Sequence, residues 1–284
     1  MLRGVEARMA IKLCGPIGLA LILLATLLRP SIAQDSASTR PKDSQEIIAR
    51  GILKVAITKF DLPAFHWRNK NGQLVGPEID LVRLIGRLMK VGIEFVDDNS
   101  TFEAVVDAVA SGRADIGVSK LSQTPYRILH VRFSEPYMIV RQSLLFNRVT
   151  VGNLAAGTAP EVVLRKFGGT LGAVAKSAYV DFAQRNFPNA QVMELRTWED
   201  AVQALIHNRV DAIYRDEFEV RRILQIDPPL NVRFGSAAIT DQKSFLSVAI
   251  CATCLRLQDF INYQIAENRV PFVLSALLAS NSGK

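Results

Sequence analysis

The chain has 284 residues, of which 49% are hydrophobic and 21% charged, the balance of a folded globular protein and not of a disordered chain. That length exceeds the commonest single domain and suits two of medium size. The formal charge of +7 comes without a basic run or interleaved basic and aromatic residues, so composition argues against a nucleic-acid surface.

Residues 1–33 read as a secretory signal peptide. Arg3, Arg8 and Lys12 form a basic start, residues 13–28 an apolar run, and Ser31-Ile32-Ala33 a small-residue exit ahead of polar Gln34. The run is near the minimum for a membrane span, but Pro16 and Gly18 interrupt it, and the small residues favour cleavage over anchoring. No later stretch approaches that apolar length, and a soluble exported protein is expected. Without these residues, which carry four basic groups and one acidic group, the formal charge falls to +4. A polar leader over 34–46 follows.

From Ile47 onward, short apolar runs alternate with amphipathic stretches. Leu53 to Thr58 reads as a buried strand, and Gly72 marks a turn. Glu78 to Lys90 carries apolar residues at helical spacing, Ile93 to Val96 is a strand, Phe102 to Ala110 a helix and Ala114 to Val118 a strand. The same order returns later: strand Leu171 to Ala175, helix Tyr179 to Phe187, strand Gln191 to Leu195, helix Trp198 to His207, strand Val210 to Tyr214, helix Glu217 to Gln225. Such alternation predicts α/β sheets with crossover helices. The segment from Phe102 to Asp115 also matches that from Trp198 to Asp211. In each, an aromatic and Glu open an apolar helix, a turn with Arg follows, and Asp precedes a strand. Two similar lobes are the useful reading. The alternation pauses near 139–142 and 239–244, where two hinge crossovers are expected.

Of three cysteines, Cys14 leaves with the signal peptide. Cys251 and Cys254 remain, spaced C-A-T-C. A structural disulfide, free thiols and a redox pair are all open. A redox pair would open a helix after a core strand near the chain start; this pair sits near the C-terminus with no partner motif, which favours the bridge.

Landmarks then accumulate in order: Arg50-Gly51-Ile52-Leu53-Lys54-Val55; Asn71-Gly72-Gln73-Leu74-Val75-Gly76 with Glu78 to Leu81; Ser119 to Arg127 around Thr124-Pro125; Phe133-Ser134-Glu135-Pro136-Tyr137; and Asn208 to Asp216. In that order and spacing the chain resembles the extracellular, periplasmic solute-binding proteins of the polar amino-acid type (family 3), the receptors that feed ABC importers. The resemblance runs over nearly all of the chain beyond residue 46. It implies the type II periplasmic-binding-protein fold: two lobes, each a mixed sheet flanked by helices, joined by two crossovers. Lobe 1 would comprise 47–140 and 241–284, and lobe 2 would comprise 141–240.

The resemblance also implies a site. Arg127 stands where relatives bind a ligand carboxylate, a task for which a planar guanidinium offers two parallel hydrogen bonds. Ser122 would add a hydroxyl donor, and Lys120 belongs to the same segment. Asp216 would answer the ammonium from the C-terminal edge of its strand, or cap the next helix, or both. Asp211, like Asp115, is expected to play a structural part. Ser177 would complete the carboxylate site at a helix start, although Lys176 and Ala178 replace the usual glycine and hydroxyl residue. Leu62 stands where relatives place an aromatic wall, and Phe102 offers an alternative wall; a core role is open for both. A small-molecule amino-acid ligand, a membrane permease as partner and a monomer are implied, with no cofactor, metal, catalytic residue or nucleic acid. Three rivals stand beside this reading. One is an enzyme on the same scaffold, such as a cyclohexadienyl or arogenate dehydratase; the others are a sensory domain and a receptor for a non-amino-acid metabolite.

Overall fold

The computed structural model describes residues 43–155, 163 and 166–268. The expected signal peptide and most of the leader lie outside the described residues. The end of that leader is helical rather than loose: α1, Ser44–Arg50, begins on Asp43, whose side chain accepts from Ser44 N, and ends on left-handed Gly51. Among the described residues no helix is long and apolar enough to cross a membrane.

The chain continues through β1 (Ile52–Thr58), a hairpin of β2 (Trp67–Arg68) and β3 (Leu74–Val75), α2 (Pro77–Met89), β4 (Gly92–Asn99), α3 (Phe102–Ala110), β5 (Ile116–Gly117), α4 (Pro125–His130) and β6 (Arg132–Phe133). Gly76 closes the hairpin at φ 119°, and a Cβ there would meet Phe65 O at 2.5 Å, so both the backbone angle and the close approach require glycine. The long strand β7 (Met138–Asn147) follows, then α5 (Arg148–Ala155), β8 (Thr170–Val174), α6 (Ala178–Asn186), β9 (Gln191–Leu195), α7 (Trp198–Ile206), β10 (Ala212–Asp216), α8 (Glu217–Ile226), α9 (Leu230–Arg233), β11 (Phe234–Leu246), β12 (Ala249–Ile250) and α10 (Leu255–Asn268).

Two five-stranded sheets result, ordered β4-β1-β5-β12-β6 and β11-β7-β10-β8-β9. In the first, β1 is parallel to β4 and β5, while β12 runs antiparallel to β5 and β6. In the second, β8 is parallel to β9 and β10, while β7 runs antiparallel to β10 and β11. Both are mixed sheets, as expected. The pauses near 139–142 and 239–244 are not loops. They fall within β7 and β11, which pair with each other from Asn147–Phe234 to Met138–Leu246 across a register shift between Ile239 and Lys243. Strand-rich sequence of this kind looks irregular in one dimension because its order comes from its partner.

Burial explains the patterning. Every residue of β10 is buried, because it lies between β7 and β8 inside the sheet and α6, α7 and α8 pack against it. Tyr214 and Ala212 face a cluster with Phe167, Phe182 and Phe187, whereas Ile213 faces Trp198, Leu205 and Phe234. The matched segments occupy equivalent places. Thr101 and Thr197 cap α3 and α7 by accepting from Ala104 N at 3.0 Å and Asp200 N at 3.1 Å. Asp115 and Asp211 accept at 2.8 Å from Lys54 N beside β5 and Thr170 N beside β10. Each aspartate therefore ties the end of its turn to the start of the neighbouring strand, as its structural reading anticipated. Cys251 and Cys254 are joined by a disulfide.

Candidate functional site

An inner cavity of about 20 Å³ lies where residues following β5 meet the end of β10 and the start of α6. Phe102, Lys120, Ser122, Arg127 and Leu246 line it from the side of the first sheet, and Ser177, Ala178, Tyr179, Arg215 and Asp216 from the side of the second. That volume holds about one water, so an amino-acid-sized molecule requires the walls to separate.

Arg127 is placed by α4. Thr124 caps that helix, its hydroxyl accepting from Arg127 N at 3.3 Å, and Pro125 at the first position fixes the helical φ. The side chain is buried, with 1% exposure. Its fork is already seated on the protein. Nε and one terminal nitrogen donate to Glu103 Oε1 at 3.1 and 2.9 Å, and the other terminal nitrogen donates to Ser122 O at 3.0 Å. Sequence reasoning missed Glu103, although it follows the aromatic that opens each matched helix. Its second oxygen, Oε2, is buried without a donor.

Asp216 both caps and pairs. Oδ1 accepts from Glu219 N at 3.1 Å at the start of α8, and Oδ2 lies 2.9 Å from Lys120 Nζ. The Lys120 ammonium also donates to Glu219 Oε1 at 3.0 Å and lies over the rings of Phe65 and Phe218, at 4.8 and 5.2 Å. Lys120 holds a left-handed φ of 54°, with its backbone N donating to Glu78 Oε1 at 2.6 Å. The two sides of the cavity are thus bound by a buried ion pair and by the edge-to-face contact of Phe65 with Phe218. Burial pushes the Glu219 carboxyl up, but the Lys120 ammonium and the Arg222 and Arg215 guanidiniums outweigh it and hold the group down at about 2. Glu219 was not read from sequence. Glu217, next to Asp216 in the chain, pairs with Arg141 and Arg221.

The other expected residues divide. The Ser122 and Ser244 hydroxyls share a hydrogen bond at 2.6 Å. Ser177 caps α6, its Oγ accepting from Tyr179 N while donating to Val174 O at 2.6 Å. Phe102 lines the cavity. Leu62 is not brought there: it is buried in the core of the first lobe and paired through its backbone with His66. The loop that follows β1 folds inward at this point, so the expected apolar wall falls to Phe102. Lys176, at a left-handed φ of 53°, lines a wider outer cleft with Glu103, Asp107, Asp181 and Glu194.

Arg215 was also missed. It is 5% exposed, and its guanidinium carbon lies 5.4 Å from the centre of the Phe102 ring, 5.7 Å from that of Tyr179 and 5.8 Å from that of Trp198. Phe102 and Trp198 open the two matched helices, so each half delivers one aromatic to this cation. The signal in the sequence was a charged residue inside a strand buried at every position. Burial, with the Asp216 carboxylate next, pushes the Tyr179 phenol well above its ordinary value and keeps it neutral.

Residues 53–151 match the profile of the bacterial extracellular solute-binding proteins, family 3. A Campylobacter jejuni protein named "Probable histidine-binding protein" is 28% identical over 199 residues, covering 70% of this chain and 73% of the relative. Among solved structures, a Streptococcus pneumoniae amino acid ABC transporter substrate-binding protein bound to L-arginine superposes with a TM-score of 0.68 at 22% identity, over 84% of this chain and all of the other. An ancestral amino acid-binding protein, a precursor of cyclohexadienyl dehydratase, gives 0.64 at 24% identity, over 84% and 97%. These structures share the two-sheet fold described above. Over residues 53–151 the chain is thus similar to the bacterial extracellular solute-binding proteins of family 3, and its fold is that of the solved binding proteins above.

Proposed function

We propose that this protein is a periplasmic receptor that captures an amino acid between its lobes and presents it to an ABC importer, without catalysing a reaction. The observation that carries the reading is that Arg127 and Asp216, a cation and an anion from opposite halves, line one inner cavity. A zwitterion offers a carboxylate and an ammonium, and buried opposite charges answer both through charge-assisted hydrogen bonds. Support also comes from the names of relatives, which bind histidine and arginine. The lobes divide within β7 and β11, near 140 and 241, and separate as rigid bodies about those paired strands to admit the ligand. The incoming carboxylate takes part of the Arg127 fork from Glu103, and the ammonium shares Asp216 with Lys120. Ser122 and Ser177 rotate their hydroxyls toward the carboxylate.

The enzymatic alternative needs a proton donor or acceptor beyond the ammonium-binding acid. Glu219 and Glu103 are further carboxylates beside the site, but Glu219, held at about 2 and bound to Lys120 and Arg222, and Glu103, bound to Arg127, serve as ion-pair partners. A thermal-shift screen against the common amino acids tests the receptor reading. The expected result is one chemical class that raises the midpoint, since ligand at 100 times its dissociation constant adds about 2.7 kcal/mol. No shift with any amino acid would overturn it.

A further inference from the structure

We propose that Arg215 is a second anion-binding group of this cleft, and that the ligand is an amino acid whose side chain carries its own carboxylate. This rests on the receptor reading above and narrows it to a substrate class.

Lys120, Arg127 and Arg215 line the inner cavity as cations, and Asp216 is the one carboxylate among its lining residues. A neutral zwitterion supplies one carboxylate to this lining. An acidic amino acid supplies two, matching Arg127 and Arg215, and leaves one ammonium for Asp216. Lys120 is already paired with Asp216 and Glu219, and Arg127 with Glu103, so a basic ligand would bring its extra cation beside Arg215, whose guanidinium has no hydrogen-bonded carboxylate among the described residues.

Hydrogen bonding points the same way. The only polar contact of Arg215 among the described residues is Asp216 Oδ2, 3.5 Å from Nε, and that Nε donates to no acceptor. Trp198, whose ring faces the same guanidinium, has a buried Nε1 that also lacks an acceptor. A buried N–H without an acceptor is costly, and because Arg215 lines the cavity a ligand carboxylate there supplies the missing oxygen. Geometry adds a third reason. The ring box of Phe102, Tyr179 and Trp198 would suit a cationic ligand head, but it already holds the guanidinium of Arg215. The outer cleft carries Glu103, Asp107, Asp181 and Glu194 against Lys176, and this acidity opposes an anionic ligand during approach. Asp107 and Glu194 are exposed, so water and salt screen them, whereas the inner guanidinium acts at contact.

Calorimetric titration of the protein with L-glutamate, L-aspartate, their amides, L-arginine and glutarate tests the inference. L-glutamate or L-aspartate should bind about 10- to 100-fold more tightly than its amide. Arg215→Met, which keeps the unbranched stem, should erase that preference. Amides or arginine binding as tightly as the acids, or a preference that survives Arg215→Met, would overturn the role of Arg215 and leave the receptor reading standing. Glutarate binding while glutamate does not would support Arg215 and overturn the amino-acid reading. Should Arg215→Met fail to fold by circular dichroism, the ligand ranking of the unaltered protein decides alone.

Discussion

Asp216 shows how one side chain meets two demands. One oxygen caps α8 and the other pairs with Lys120, so neither the capping nor the binding reading of the sequence excludes the other. Its neighbour Glu219 sets a pH dependence. Its folded pKa is depressed to about 2 from an ordinary value of about 4.3. The stabilisation it brings is therefore present above about pH 4.3 and lost as pH falls toward 2. Urea midpoints of the protein and of Glu219→Gln should differ most near neutral pH and converge through that window. A difference that stays constant down to pH 3 would contradict the assignment. Arg127 and Asp216 were singled out by their motifs, and both line the inner cavity. Glu103, Glu219 and Arg215 were not, since spacing along one helix or strand says which face a side chain takes, not which charge the opposite lobe sets against it. Leu62 failed for a related reason: its wall position depended on a loop path that the sequence does not dictate.

At the level of elements, the clearest legible feature is the matched helix–turn–strand unit. Phe102–Ala110 was bounded from sequence as the helix forms, because Thr101 supplies a cap and apolar residues recur at helical spacing. The second copy uses Thr197 in the same way. Thr197→Ala should lower the stability of the protein by about 1 kcal/mol, read as a shift in urea midpoint with unchanged slope. An unchanged midpoint would mean that α7 is held by packing of Trp198 and Leu205 alone. What periodicity did not reveal were the paired long strands β7 and β11. Their residues alternate less regularly because β11 is an edge strand with a register shift, and β7 is sandwiched between β11 and β10. Residues 139–142 and 239–244 both lie on this ladder, about which the proposed separation of the lobes would take place.

At the scale of the whole molecule, buried contacts between the two sides of the cavity include Lys120 with Asp216 and Glu219, Phe65 with Phe218, and Phe102 with Arg215. The inner volume of about 20 Å³ between them is too small for an amino acid, so capture requires the opened form, and a ligand touching both sides stabilises the shut one. On the proposed function, Arg127 and Asp216 reach the same molecule only in that form. Calorimetric titration of Arg127→Ala against the amino acid that binds the unaltered protein tests this most directly, with circular dichroism confirming that the variant folds. The account predicts that affinity falls by about 100-fold or more, as expected when a buried guanidinium–carboxylate contact is lost. Affinity equal to that of the unaltered protein would contradict it.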